Sequence, residues 1–193
     1  MTEVRAGRRT GGFTMVELIL VVLVLAVVGA LVAPSFAGSM PRYRLRADAR
    51  DLFALARYAR AEAALKGVKT RLVLDPTDGT FWMETEADPF AAPGDFSRPD
   101  TARGRVRRLQ DRVVFSTVEA GEVDGADGVF RAVTFHPDGT AGQDAVLVLT
   151  VEDDGDDEEP ERLAVHVRRI TGLCRIVEEE AIDETLEDLE EVR

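Results

Sequence analysis

The chain has one cysteine, Cys174, and only two histidines among its 193 residues. A single thiol cannot form an intramolecular disulfide, and it excludes a zinc site built from several cysteines. We interpret Cys174 as a small apolar residue of a strand rather than as a nucleophile. The histidines, His136 and His166, lack an HExxH or triad-like pattern around them, and no serine lies in a nucleophile elbow. We therefore expect no enzyme, no cofactor and no bound metal.

Positive charge is scarce, because 24 Lys and Arg residues stand against 36 Asp and Glu, for a net charge of −12. An acidic chain repels nucleic-acid phosphates, which argues against nucleic acid as a partner. Acidic residues are concentrated in two segments, 152–161 and 178–193. The first misses the EF-hand spacing, so we favour a solvated acidic loop over a calcium site. In the second, Ile182, Leu186 and Leu189 recur at helical spacing, which leaves a short amphipathic helix and disorder open.

One long apolar run extends from Leu18 to Ala33 without a charged residue. At about 1.5 Å per residue this run is too short for a hydrocarbon core of roughly 30 Å, whereas a helix that begins at Phe13 is long enough. That helix contains Glu17, and a carboxylate in a membrane segment needs a partner and marks a functional position. We therefore predict a transmembrane helix over residues 13–40.

Two simpler interpretations of the same segment stay open. Three arginines ahead of an apolar core, with the small residues Ser35 and Ala37 after it, resemble a cleaved secretory signal. An uncut signal anchor that never assembles is the second. Against the cleaved signal stand Glu17 at the head of the apolar core and a core longer than the usual length of about 7–15 residues.

A third arrangement gives Glu17 a partner. Cleavage after Gly12 would leave Phe13 with a free amino group, which carries a positive charge at neutral pH. The amino group of a neighbouring, staggered subunit would neutralise Glu17 between chains. Charge pairing would then drive assembly.

Residues 12–18 (GFTMVEL) resemble the cleavage and methylation signal of type IV pilin-like precursors, with Gly before the cut, Phe first and Glu fifth in the mature chain. Pro34 falls where many members have a helix-kinking proline. The resemblance implies that a prepilin peptidase cuts after Gly12 and methylates the amino group of Phe13. It also implies that Phe13 and Glu17 direct subunit assembly into a filament.

Beyond residue 40 the pattern indicates an amphipathic helix over residues 42–66, ended by Gly67. Its predicted apolar positions are Leu45, Ala49, Leu52, Phe53, Ala56, Ala59, Ala63 and Leu65. A hairpin follows, with strands Lys69–Asp75 and Thr80–Thr85 around an Asp-Gly turn. Further predicted strands are Val113–Val118, Val129–Phe135, Ala145–Val151, Leu163–Arg169 and Leu173–Val177. One long helix followed by strands indicates an α+β domain.

Residues 88–112 lack a regular period and are rich in Pro, Gly, Asp and Arg, which predicts a long irregular loop. Its six arginines are Arg98, Arg103, Arg105, Arg107, Arg108 and Arg112. We favour a solvated loop over a surface that docks an acidic neighbour, and leave the second open.

The order of elements, with residues 52–57 (LFALAR), 133–140 (VTFHPDGT) and 170–172 (ITG), is similar to the minor pseudopilins of the H class in type II secretion, the GspH/FimT-like group. The resemblance implies an α+β fold in which a long N-terminal helix packs on an antiparallel β-rich head of two sheets. The implied organisation is a cleaved leader (1–12), a transmembrane helix (13–40), an amphipathic helix (41–67), a periplasmic head (68–177) and an acidic tail (178–193). The acidic segments 152–161 and 178–193 are not part of the family pattern.

That resemblance implies a non-enzymatic structural subunit at or near the tip of a type II secretion pseudopilus. Its partners would be a prepilin peptidase, other minor and major pseudopilins, the inner-membrane secretion platform and membrane lipid. Flanking arginines do not decide orientation, so the resemblance alone places the head in the periplasm, with the anchor in the inner membrane. A minor type IV pilin whose head binds a ligand such as DNA is the alternative, and the acidic C-terminus argues against it.

Overall fold

The computed structural model describes residues 13–37, 40–125, 128–152 and 160–191. The predicted leader, including Gly12, lies outside these residues, and so does the centre of the first acidic segment with its predicted acidic loop. The chain divides into two compact units, residues 1–40 and residues 41–193.

In the first unit, helix α1 (Met15–Ala37) contains 23 residues and continues through Pro34. Thr14 caps its N-terminus, because the Thr14 Oγ1 accepts the Glu17 backbone N–H at 3.2 Å and its carbonyl accepts the Leu18 N–H at 3.1 Å. The Thr-x-x-Glu spacing is that of a capping box. Over the described part of the chain, no helix combines the length and the apolar character needed to cross a membrane. The span predicted over residues 13–40 stays a prediction.

Helix α2 (Met40–Lys66), which belongs to the second unit from residue 41 onward, confirms the predicted amphipathic helix. It ends where Gly67 adopts φ +69° and donates its N–H to the Ala63 carbonyl at 2.9 Å, a C-terminal cap that glycine adopts without strain. The fully buried residues of α2 are Leu45, Ala49, Leu52, Leu55, Ala56, Ala59 and Ala63. Leu65 was wrongly predicted to face the core: it is 83% exposed, since it lies on the opposite side of the helix from this stripe.

Ten strands follow. In chain order they are β1 (Thr70–Asp75), β2 (Thr80–Asp88), β3 (Ala92–Ser97), β4 (Arg107–Arg108), β5 (Val113–Glu119), β6 (Gly121–Gly125), β7 (Gly128–Phe135), β8 (Ala145–Val151), β9 (Arg162–Val167) and β10 (Cys174–Glu178). Within the described residues they form two antiparallel sheets. The first has the order β3-β2-β1-β7-β6, with β4 paired to β2, and the second has the order β10-β9-β8-β5. The predicted α+β class with two sheets is confirmed.

The core of the second unit joins α2 to the inner faces of both sheets. The central strands contribute alternate residues, as in the pairs Leu72 with Met83 and Leu147 with Val165, which lie opposite each other in register. The largest fully buried side chains are Phe81 and Phe135. Both sheets therefore depend on the same apolar cluster as the helix.

Residues 88–112 are mostly exposed, as predicted, but the prediction that they lack regular structure was wrong. They contain β3, which pairs with β2, and β4, whose residues Arg107 and Arg108 lie opposite Phe81 and Thr80. Leu109 is buried, and its N–H donates to the Gly79 carbonyl at 2.8 Å. The segment is thus fastened to the first sheet.

The acidic C-terminal segment forms helix α3 (Ile182–Glu191). Ile182 is fully buried and, with Leu186 and Leu189, packs against the outer face of the second sheet. The residues that it covers there are Val146, Val148, Ala164 and Val177. Of the two open predictions for this segment, the amphipathic helix is confirmed.

Candidate assembly surfaces

Helix α1 exposes large apolar side chains from Met15 to Val28. Phe13 is 78% exposed, and the large apolar side chains from Met15 to Val28 are all at least 44% exposed. A helix that is apolar all round is normally buried in a membrane or in a larger assembly. The exposed side chains of this helix are thus of the kind that packs against lipid or against other apolar side chains.

Glu17 sits in the first turn of α1. A carboxylate there is favourably placed near the positive end of the helix dipole and near the free N–H groups of the first turn. Its side chain is exposed, as is that of Phe13 four residues earlier. The roles predicted for Phe13 and Glu17 stay predictions, as does that of Gly12.

A second conspicuous arrangement joins the two sheets to α2 through two turns. The Arg60 Nε of α2 donates to the Gly139 carbonyl at 3.0 Å, in the turn between β7 and β8. Gly172, in the turn between β9 and β10, lies so close that a Cβ there would be 2.2 Å from the Gly139 oxygen and 2.9 Å from the Arg60 Nε. A further link is the Ala141 N–H, which donates to the Arg169 carbonyl at 2.8 Å.

The turn at Pro137–Thr140 is built from its own side chains. The Asp138 carboxylate accepts the Thr140 N–H at 2.9 Å and the Thr140 hydroxyl at 2.7 Å, and these hydrogen bonds lower the pKa of Asp138. His136 closes the turn with its backbone, since its N–H donates to the Thr140 carbonyl at 2.9 Å. These residues, singled out by sequence pattern, join β7 of the first sheet to β8 of the second.

A third surface is the strap, which we define as residues 98–112. It runs antiparallel along one face of α2, because successively later strap residues contact successively earlier helix residues. These contacts pair Arg103 with Tyr58, Arg107 with Asp51, Gln110 with Asp48, and Asp111 with Arg44. The helix positions 44, 48, 51 and 58 are spaced three, four or seven apart, so they lie on one side of α2.

Two strap contacts differ in burial: the one at Asp48 is partly buried, whereas the one at Arg103 is exposed. The Asp48 carboxylate accepts the Gln110 N–H at 2.8 Å and its side-chain amide at 3.1 Å, yet burial outweighs these bonds and raises the pKa of Asp48. The Arg103 guanidinium lies 4.2 Å from the centre of the Tyr58 ring, a cation–π contact. Sequence reasoning missed these contacts because the partners lie far apart in the chain.

The first acidic segment ends against the start of α2. Glu161 pairs with Arg46 at 3.0 Å and with Arg42 at 3.5 Å. Both are among the flanking arginines whose charge leaves the membrane orientation of the head undecided from the sequence. Ion pairs this exposed contribute little stability, about 0–1 kcal/mol each, but they offset positive charge at this end of the helix.

The two histidines lie in different surroundings, with His136 in the turn after β7 and His166 in β9. His166 is buried on the outer face of the second sheet, where the Arg175 Nε donates to its Nδ1 at 3.3 Å. Burial, and then the positive charge of Arg175, lower the pKa of His166. Across the described chain, no group of three or more His, Cys, Asp or Glu side chains is arranged to hold a metal ion.

Cys174 behaves as an apolar residue of β10. It packs against the core, and burial raises the pKa of its thiol from 9.0 to about 11. We expect its thiolate fraction at pH 8 to be about a hundredfold lower than that of an unperturbed cysteine, because only the thiolate reacts. Labelling by Ellman's reagent should therefore be slower by at least that factor in the native protein than after unfolding in guanidinium chloride. Rates that agree within about threefold would contradict this prediction.

Comparison with known proteins identifies relatives of the chain. The family model described as type II transport protein GspH matches residues 48–172. Type II secretion system protein H of Xanthomonas campestris pv. campestris is 28% identical over 168 residues, which cover 87% of this chain and 83% of that protein. The structure of the minor pseudopilin EpsH from the type 2 secretion system of Vibrio cholerae has a TM-score of 0.53 at 13% identity, covering 70% of this chain and 97% of that one. The matched segment begins within α2 and ends at Gly172, so it includes the turns that meet at Arg60.

Proposed function

The chain belongs to the GspH family of type II transport proteins, and from that membership we propose that it is a minor pseudopilin, a structural subunit of the type II secretion pseudopilus. The observation that carries the proposal is the family match over residues 48–172, from within α2 to the end of the turn after β9, in a chain whose N-terminal helix exposes apolar side chains from Met15 to Val28. The β-rich head exposes a surface to other subunits, whereas α1 provides the contacts that hold the assembly together. No catalytic role is needed.

Assembly takes place through α1. Its exposed apolar surface is removed from water when the helix packs among the helices of other subunits or in lipid, which is favourable by roughly 25 cal/mol per Å² buried. Glu17 then pairs with the amino group of Phe13 on a neighbouring subunit, which sets the stagger between helices. Packing supplies the affinity, and the charge pair supplies the register.

Processing precedes assembly. A prepilin peptidase cuts after Gly12 and methylates Phe13, and the chain is held in the inner membrane with its head in the periplasm. Other minor and major pseudopilins then receive it near the tip of the pseudopilus, above the inner-membrane secretion platform. Growth of this filament supports export of folded proteins across the outer membrane.

The alternative, a minor type IV pilin with a DNA-binding head, has less support. Helix α3 places exposed carboxylates on the outer face of the second sheet, among them Glu184, Glu187 and Asp188. Such a surface repels phosphate. The relatives named for a function are also secretion proteins.

The test links processing to secretion in a host strain that lacks this chain. The unaltered chain should restore secretion and should be recovered with N-methylated Phe13 as its first residue. Gly12→Asp should leave the leader attached and abolish secretion, because the peptidase requires the small residue before the cut.

The control is Gly11→Ala, which changes the neighbouring glycine and should be processed and secrete normally. Mass spectrometry that finds an uncut chain, or a cut near Ala37, would reject the processing scheme. Normal secretion without the chain would reject the pseudopilin role.

A further inference from the structure

The strap is a basic region on an acidic protein. Residues 98–112 contain six arginines and two aspartates, in a chain of net charge −12. Three of the arginines, Arg98, Arg105 and Arg108, have exposed side chains and make no ion pair with any described residue. Val106, between two of these arginines, is 45% exposed.

The backbone that carries these arginines is held in place on both sides. Pairing of β4 with β2 and burial of Leu109 fix one end. The other end folds tightly on itself, because the Gly104 N–H donates to the Thr101 carbonyl at 3.1 Å and a Cβ on Gly104 would lie 2.1 Å from the Pro99 oxygen. A basic surface built on ordered backbone loses little conformational entropy when a partner binds.

The guanidinium groups indicate the chemistry of the partner. Arginine binds carboxylates through two parallel hydrogen bonds, which gives orientation as well as attraction. Acidic protein surfaces are the natural complement, and α3 of this chain is an example of one, with Asp183, Glu184 and Asp188 exposed. No ion pair among the described residues joins the strap arginines to α3, so neither surface is neutralised by the other within the chain.

The two oppositely charged surfaces occupy different elements of the head. A contact between unlike surfaces of successive subunits is heterologous, and such contacts generate closed rings or open helical filaments. A filament is an assembly of this kind. The strap therefore has the charge and the placement expected of a contact between heads.

We propose that the strap is a docking surface for an acidic, carboxylate-bearing face of the adjacent subunit in the pseudopilus, with Arg98, Arg105 and Arg108 as the contacting residues. The proposal rests on the proposed function, since it requires a filament of related subunits. The contact orients the heads, while α1 holds the subunits together.

Charge reversal in the host strain tests this proposal. Arg105→Glu with Arg108→Glu should lower secretion at least about tenfold while the amount of mature chain stays unchanged, because like charges would then face each other. Arg105→Lys with Arg108→Lys keeps the charge and should stay within about threefold of the unaltered chain.

The matched control is Arg168→Glu with Arg169→Glu, two adjacent exposed arginines on the β9 to β10 turn, which should secrete normally. If the unaltered chain is required but the strap reversal secretes equally well, the docking surface is refuted and the proposed function stands. If the unaltered chain is not required, the proposed function itself fails.

Zero-length cross-linking identifies the occupant. In the double lysine variant, a carbodiimide couples the introduced amino groups to carboxylates in contact with them. Peptide mass spectrometry should find bonds to Asp or Glu of another pseudopilus subunit, and a bond to α3 of a second copy would identify that copy as the occupant. Bonds confined to the same chain, or none to another subunit, would overturn the proposal. So would strap-dependent binding of a 20-base-pair DNA duplex by the purified full chain in detergent, since the surface would then serve nucleic acid.

Discussion

Gly172→Ala is expected to destabilise the head by roughly 3 kcal/mol or more, with little change in the first unit. The new Cβ would lie 2.2 Å from the Gly139 oxygen and 2.9 Å from the Arg60 Nε, so both the Gly139 backbone and the Arg60 side chain have to move. Gly172 also has φ +58°, which an alanine adopts only with strain. Both effects act where the two sheets and α2 meet.

Gly67→Ala is the matched control, because it separates strain from crowding. Gly67 has φ +69°, nearly the same conformation, yet nothing lies within 4 Å of a Cβ built there. Its substitution should cost only the left-handed strain, about 1–2 kcal/mol. The difference between the two losses in free energy of unfolding then measures the cost of crowding between the turns at Gly139 and Gly172.

Guanidinium chloride unfolding of both variants, followed by circular dichroism, gives the two free energies of unfolding. Equal losses would show that Gly172 matters only through its backbone conformation, and that the turns separate without cost. A larger loss for Gly67→Ala would contradict the assignment of this contact as a structural link between the sheets.

Much of the head was predictable because its signals are local. The hairpin of β1 and β2 follows from alternating apolar residues around an Asp-Gly turn, and Gly67 marks the end of α2. The turn at Pro137–Thr140 is likewise determined by residues within the turn. In each case the residues that define the element lie within a few positions of one another.

The strap was not predictable, for a physical reason. Its order depends on Gln110 meeting Asp48 and on Arg103 meeting Tyr58, contacts between residues more than forty positions apart. A stretch rich in Pro, Gly and charge has no period of its own to indicate such partners. Strand β6 likewise begins and ends in glycine, a residue with low strand propensity. Its sequence alone therefore does not indicate that it pairs with β7.

In contrast to the strap, the candidate assembly residues were predicted from the sequence. Gly12, Phe13 and Glu17 were predicted from a motif, and for Glu17 the structure adds a local contact, its N–H bonded to the Thr14 hydroxyl oxygen. This contact gives Glu17 a second potential role, in starting α1. An experiment on Glu17 has to separate helix capping from pairing between subunits.

Glu17→Ala is expected to leave the head folded and to reduce incorporation into the pseudopilus more than a hundredfold. Removing one partner of a buried ion pair costs about 3–5 kcal/mol, and each 1.4 kcal/mol is about tenfold in an equilibrium constant. Incorporation is measured as the fraction of mature chain that cross-links to other pseudopilins in the host. Thermal unfolding checks the head, whose core lies wholly in the second unit.

Two further variants decide between the roles of Glu17. Thr14→Ala removes the hydroxyl that accepts the Glu17 N–H at 3.2 Å, at a cost of about 1 kcal/mol, without changing any charge. Glu17→Gln keeps the shape of the side chain and removes its charge. If pairing with the amino group of Phe13 drives assembly, Glu17→Gln should fail like Glu17→Ala, whereas Thr14→Ala should lose about tenfold at most. Normal incorporation of Glu17→Gln, or failure of Thr14→Ala as complete as that of Glu17→Ala, would show that the helix end matters and the charge pair does not.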